Sequence, residues 1–240
     1  MKHLKKLIYS AFCIAFAMII STSAVFGERQ DGGAFFTFSK DSRLAEAVFF
    51  GESTTAHLAA RGVLPQARVW ANESCTMRLD PSTAQRTVKD PQTGESIGFL
   101  KAVEHYSPPT IVLSFGLNGI MHFSENPNEY LANYRKLIEK IRTASPSTEV
   151  VVQSVYPVAD LPHQADWRFS ISPREINERI VRLNRCLAEA CATVEGTSYA
   201  ETADAIKDAD GFLLPSYTTD GIHLTAEAYE QILSRLAQEV

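Results

Sequence analysis

Hydrophobic and polar positions along this chain switch between two periods. Short, largely apolar runs recur at residues 47–50, 68–71, 110–116 and 149–155, bounded by glycine, proline or polar residues, and residues 192–197 are read as a fifth strand. Runs of that length and composition predict buried strands. Between them the spacing becomes helical. Residues 54–61 predict a first helix, ended by Gly62, and residues 97–106 a second, stopped before Pro108-Pro109. In residues 128–144, Tyr130, Tyr134, Leu137, Ile138 and Ile141 share one face. Ser172-Pro173-Arg174-Glu175 opens another helix, with a capping box and proline in the first turn. Its apolar stripe is Ile176, Ile180, Leu183 and Leu187. Thr225 caps the last helix, whose core face is Tyr229, Ile232, Leu233 and Leu236.

Strands alternating with helices predict a parallel sheet covered on both faces. The fold class expected is α/β: a three-layer α/β/α sandwich, flavodoxin-like, with a five-stranded parallel sheet and right-handed crossovers. Residues 72–94 are polar and carry the turn signals Asp80-Pro81 and Asp90-Pro91, so they form either a long loop or an inserted hairpin. The alternation Cys75, Met77, Leu79 hints at a strand there. Residues 28–240 are read as one domain, with residues 28–46 a polar lead-in.

The first 27 residues have a different character. Lys2, Lys5 and Lys6 precede an apolar stretch over residues 7–20, and small residues follow, with cleavage expected after Ala24 or Gly27. This is an export signal or a membrane anchor. The apolar stretch is short for a span of roughly 20 residues, which favours cleavage and a secreted or cell-envelope protein. Membrane association is expected only if the segment is uncleaved. Cys13 follows Phe12 rather than a small residue, which argues against a lipid anchor.

The chain has 240 residues and a net charge of −5, which gives no reason to expect a nucleic-acid partner. Cys75, Cys186 and Cys191 remain after the signal, none at metal-ligand spacing with a histidine. A helix running through Cys186 and Cys191 would hold them too far apart for an unstrained disulfide.

Three stretches carry candidate chemistry. The apolar run at 47–50 ends in Gly51-Glu52-Ser53, which delivers a serine to the carboxyl end of a strand, where open α/β sheets bind ligands. Gly51 lets the backbone turn sharply and leaves room beside the next residue. A serine hydroxyl needs a base within hydrogen-bond reach, and the base needs an orienting group. Asp220-Gly221-Ile222-His223 supplies both, just before a helix amino terminus that favours a neutral imidazole. Asn118 follows the central strand and offers a side-chain amide to an oxyanion, with the Ser53 N–H as a second donor.

These blocks, Gly51-Glu52-Ser53, Gly116-Leu117-Asn118 and Asp220-Gly221-Ile222-His223, resemble in order and spacing those of the SGNH/GDSL hydrolases, over about residues 45–235. The resemblance implies Ser53 as nucleophile, His223 as base, Asp220 as its orienter, and Asn118 with the Ser53 N–H as the oxyanion hole. It implies a serine ester hydrolase working through an acyl-enzyme, with no metal or organic cofactor. The expected substrates are acylated carbohydrate or small acyl esters. An acyltransferase or a glycan-binding relative of weak activity is the alternative. Two departures stand out. Glu52 replaces the usual aspartate. The family's glycine after the second strand is missing, and Ser74 or Cys75 is the best-placed substitute for its N–H.

Other candidates have weaker support. His57 lies one helical turn from Ser53, where a surface or packing role is the expectation. The loop 156–171, with His163, Trp167 and Phe169, is a candidate wall for a sugar or acyl group. His105 and His122 have no evident partners. Asp160 and Asp166 near His163 lack a diagnostic metal spacing.

Overall fold

The computed structural model describes residues 34–77, 86–162 and 167–240. The amino-terminal segment, Leu79, His163 and Asp166 lie outside the described residues. The elements are β1 (Val48–Gly51), α1 (Ser53–Ala60), β2 (Thr87–Lys89), β3 (Ser96–Gly98), α2 (Phe99–Tyr106), β4 (Thr110–Ser114), α3 (Ile120–Glu125) and α4 (Pro127–Ala144). Then follow β5 (Glu149–Gln153), α5 (Pro173–Cys191), β6 (Thr197–Ala200) and α6 (Ala226–Glu239). Strands β1, β4, β5 and β6 pair in that spatial order, all parallel.

The sheet's strand period sorts its side chains into two cores. Phe50, Ile111, Leu113, Val150 and Val152 face one way, against α2, α3, α4 and α5. Phe49, Val112, Val151 and Ala200 face the other, against α1 and α6. These two cores make the three layers. The helical stripes read from the sequence are the buried faces of α4, α5 and α6. The Ser172 capping box is present, and Thr225 accepts the Ala228 N–H.

The sheet has four strands rather than five. Residues 68–71 lie beside β1 but form only one parallel bridge, Val69 to Phe49. The Trp70 and Asn72 N–H groups donate to the Phe49 and Gly51 carbonyls at 2.8 and 3.1 Å. A 3-10 turn over Gln66–Arg68 and a turn from Asn72 to Cys75 cut the strand short at both ends. Arg68 is buried there, its guanidinium donating to the Ala47 and Leu44 carbonyls. The inserted segment contains a hairpin, β2 with β3, closed at Asp90. That hairpin takes residues 96–98 and delays α2 to Phe99. Cys75 and Met77 are buried but belong to no strand. The last strand begins at Thr197, because α5 runs on to Cys191 and Gly196 turns the chain with φ 68°. The short helix α3 had no counterpart in the sequence pattern. Among the described residues no helix is long and apolar enough to cross a membrane. Cys75, Cys186 and Cys191 are all free, with Cys186 and Cys191 both on α5.

Gly51 keeps an ordinary strand conformation, so its requirement is space rather than a positive φ. A Cβ there would fall inside contact distance of both the Thr55 hydroxyl and the Ser114 carbonyl. The carbonyl is backbone of the adjoining strand, in register with Gly51. Gly51→Ala should therefore cost about 1–3 kcal/mol of stability in urea unfolding, the range for overpacking. A loss below about 0.5 kcal/mol, the size of an ordinary surface substitution, would mean the strands can separate without penalty.

Candidate active site

Ser53 is the first residue of α1, and Glu52 is the N-cap. The nucleophile candidate thus stands where β1 hands over to a helix. As first helical residue its N–H has no intrahelical acceptor and points out of the helix end. Its Oγ lies 3.3 Å from His223 Nε2. His223 Nδ1 lies 2.6 Å from Asp220 Oδ2. A carboxylate on Nδ1 fixes the proton there and leaves Nε2 as the acceptor facing Ser53. The structure therefore brings Ser53, His223 and Asp220 together, although 170 residues separate the first two in sequence.

The turn that carries Asp220 is built around its carboxylate. Asp220 Oδ1 accepts the Ile222 and His223 N–H groups at 2.9 and 2.7 Å, and the Thr218 hydroxyl at 3.3 Å. Thr218 Oγ1 in turn accepts the Gly221 N–H at 2.9 Å. Gly221 takes a φ of 85°, which a side chain would strain. Burial raises the Asp220 pKa, but the hydrogen bonds from the His223 ring and the two N–H groups outweigh it, leaving the carboxyl near 2. It is ionised across the neutral range.

Glu52 does more than flank the serine. Its side chain is buried, and it spans from the end of β1 to the turn after β4. Oε1 accepts the Leu117 N–H at 2.9 Å and those of Gly116 and Asn118 at 3.3 and 3.4 Å. Oε2 accepts the Asn118 N–H at 3.2 Å. Burial drives the Glu52 pKa up to about 7, against the opposing pull of those three N–H groups. A carboxylate directly after four apolar strand residues was the available signal: such a charge is seldom buried without partners.

The Asn118 amide donates to the Cys75 carbonyl at 3.1 Å and to the Glu73 carbonyl at 3.3 Å. The loop after residue 71 therefore packs over the Asn118 side chain. Neither substitute for the missing glycine has an idle N–H. Ser74 N–H donates to Asn72 Oδ1 at 3.1 Å, and Cys75 N–H to the Asn72 carbonyl at 2.9 Å. Asn72 closes that turn on itself, so the expectation that Ser74 or Cys75 supplies an oxyanion donor does not hold in this arrangement.

His57 turns out to lie against His223, with ring centroids 4.6 Å apart. Trp167 packs edge-on against Phe169 at 5.1 Å, and its N–H donates to the Ile171 carbonyl, so it stabilises its own loop. His122 is buried with Nε2 3.7 Å from Glu129, and His105 rests on Tyr106. Among the described residues no cluster of His, Cys, Asp and Glu could hold a metal ion. A groove of about 290 Å³ between α5 and β6 contains none of Ser53, Asn118, Asp220 or His223.

The model of the GDSL-like lipase/acylhydrolase family matches residues 49–231, which include all of these side chains. The chain belongs to that family. It is a carboxylic ester hydrolase by that membership. A search of curated protein sequences finds no match. Among solved structures, one from Streptococcus pneumoniae named for platelet activating factor aligns with a TM-score of 0.60 at 21% identity, covering 80% of this chain and 82% of that one. A GDSL-like lipase from Bacteroides thetaiotaomicron aligns at 0.53 and 20% identity, covering 80% and 85%. An acetylxylan esterase from Geobacillus stearothermophilus aligns at 0.51 and 12% identity, covering 80% and 92%. At these identities the likenesses describe the fold.

The Glu52 pKa couples stability to pH. It is raised on folding, from an ordinary 4.5 to about 7. The protonated form is therefore favoured in the folded state. Stability from this group is fully present below about pH 4.5 and is lost as pH rises through about 7. The size is about 3 kcal/mol over that interval. Glu52→Gln keeps one acceptor oxygen and removes the charge. Urea titrations should show the wild type losing about 3 kcal/mol relative to Glu52→Gln between pH 4.5 and 7.5. Parallel stability curves for the two would show that the carboxyl titrates normally.

Proposed function

We propose that this family member is an exported serine esterase whose triad is Ser53, His223 and Asp220. The observation that carries the reading is the continuous chain of contacts, 3.3 Å from Ser53 Oγ to His223 Nε2 and 2.6 Å from His223 Nδ1 to Asp220 Oδ2. In the first half-reaction Ser53 Oγ attacks the ester carbonyl as His223 Nε2 takes its proton. The carbonyl π pair moves onto oxygen. The oxyanion collapses, the C–O bond to the alcohol breaks, and His223 returns the proton to the leaving oxygen. Water then repeats the sequence on the acyl-enzyme and releases the acid. Asp220, ionised throughout, holds the tautomer and balances the imidazolium.

The proposed oxyanion donors are the Ser53 N–H and the Asn118 amide. The Asn118 bond to the Glu73 carbonyl is the longer of its two, at 3.3 Å. An oxyanion would compete for that hydrogen while the bond to Cys75 keeps the amide oriented. Acylated carbohydrate and small acyl esters are the proposed substrates. The amino-terminal charge and apolar pattern supports an extracellular or envelope setting, where such esters occur. The acetylxylan esterase among the structural neighbours makes acetylated xylan a first glycan to test.

Hydrolysis of p-nitrophenyl acetate by the mature domain tests the reading. Ser53→Ala and His223→Ala should each lower kcat by about a thousandfold or more with the fold intact by circular dichroism. Turnover surviving in either variant would remove the triad. Asn118→Ala should cost about a hundredfold in kcat with little change in KM, as for loss of one oxyanion donor. A change confined to KM would place Asn118 in ground-state binding instead.

A further inference from the structure

His57 follows Ser53 by four residues on α1, so the two side chains share one face of the helix. Its ring lies on the His223 imidazole with centroids 4.6 Å apart and planes tilted by 37°. Its Nδ1 is buried and has no hydrogen-bond partner among the described residues. A buried polar atom left unpaired is uncommon and marks a position held for another reason. Four groups act on this ring electrostatically. His223 and Asp220 reach it from the turn before α6, Arg61 from the end of its own helix, and Glu73 from the loop after residue 71. Burial, then His223 and Arg61, lower its basicity; Glu73 and Asp220 oppose them and lose. The ring therefore takes up a proton less readily than a free imidazole, beside a histidine that must acquire a charge.

We propose that His57 is a positioning residue of the hydrolytic reaction: its neutral ring braces His223 and stabilises the imidazolium formed when His223 takes the Ser53 proton. The inference rests on the triad proposed above. An uncharged aromatic ring in contact with a cation attracts it. The same ring carrying a proton would repel it and hinder proton transfer from Ser53. Two rings must then be uncharged for turnover: His223 to accept the proton, and His57 to tolerate the result. On the acid side, log kcat/KM against pH should steepen from a slope of about one towards about two.

The test is the pH profile of p-nitrophenyl acetate hydrolysis by the wild type, His57→Phe and His57→Ala, with Ser53→Ala and His223→Ala alongside. His57→Phe keeps a ring against His223 and removes the titrating group. It should lose the steeper limb and retain a slope of about one at the lowest pH values that the fold survives. Glu52 titrates equally in every variant, so the difference in slope belongs to His57. His57→Ala removes the brace and should lower kcat by about tenfold at pH 8 with KM within about twofold, a larger loss than in His57→Phe. If His57→Ala fails to fold, the slope in His57→Phe decides. Profiles that superimpose for wild type and His57→Phe would overturn the proposal, as would a His57→Ala effect carried by KM. Turnover persisting in Ser53→Ala or His223→Ala would instead remove the triad beneath it.

Discussion

One buried carboxylate fixes the relation between the two strand ends that bear the site. Glu52 ends the β1 segment and holds three consecutive N–H groups of the turn after β4. The strands are already paired, with Gly51 opposite Ser114. Pairing alone, however, sets the register of the sheet and leaves the following turns free to choose a conformation. The carboxylate removes that freedom, because N–H groups converging on one acceptor cannot point elsewhere. The cost is the burial of a charge without a cation, visible in its raised pKa. A fold that minimised its free energy alone would place an uncharged group there. Retaining an acid at this point exchanges stability at neutral pH for a fixed turn.

The carboxyl-terminal half of the site is held in a comparable way, by acceptors rather than by packing. Asp220 gathers the N–H groups of Ile222 and His223, and Ala159 N–H caps the Gly221 carbonyl at 2.9 Å. The helix that follows is tied back to the first one: Tyr229 on α6 donates its hydroxyl to the Thr54 carbonyl on α1. Thr54 is adjacent to Ser53, and Tyr229 lies six residues beyond His223. The two helices that carry the proposed nucleophile and follow the proposed base thus share a buried hydrogen bond beneath the reacting pair. A shift of α6 would break that bond as well as widen the Ser53–His223 gap.

Much of this was legible in the sequence, and the omissions have physical causes. Continuous apolar runs located β1, β4 and β5 because these strands are buried on both faces, and the 3.6 period located the three long helices because each buries one full face. The segment 68–71 carried the same apolar signal but became a one-bridge edge, since strand pairing depends on flanking turns that hydrophobicity does not encode. Thr197–Ala200 was displaced because three of its four residues, Thr197, Ser198 and Tyr199, are only half-buried at the sheet edge and its signal was faint. Ser53, Asp220, His223 and Asn118 stood out as candidates because each sits at an element boundary within a short motif, and the structure brings the first three within contact of one another. The role of Glu52 was not legible because a motif comparison scores the residue type, whereas its contacts are with three N–H groups more than 60 residues away. The contact between His57 and His223 depends on the approach of α1 to the turn before α6, which no local pattern specifies.

The oxyanion side is where the chain departs furthest from the pattern it resembles. A glycine after the edge segment would offer a bare N–H and an unobstructed approach. Here Asn72 instead takes the Ser74 and Cys75 N–H groups for its own turn. The proposed donors that remain are the Ser53 N–H and one hydrogen of the Asn118 amide. Both depend on Glu52. Ser53 follows it directly, and its carboxylate binds the Asn118 N–H that sets the base of that side chain. With fewer donors, each must be placed more accurately, since preorganised hydrogen bonds act only when aimed at the developing charge. The Glu52 carboxylate covers three N–H groups across the gap, and the Asn118 N–H is the one that both of its oxygens accept.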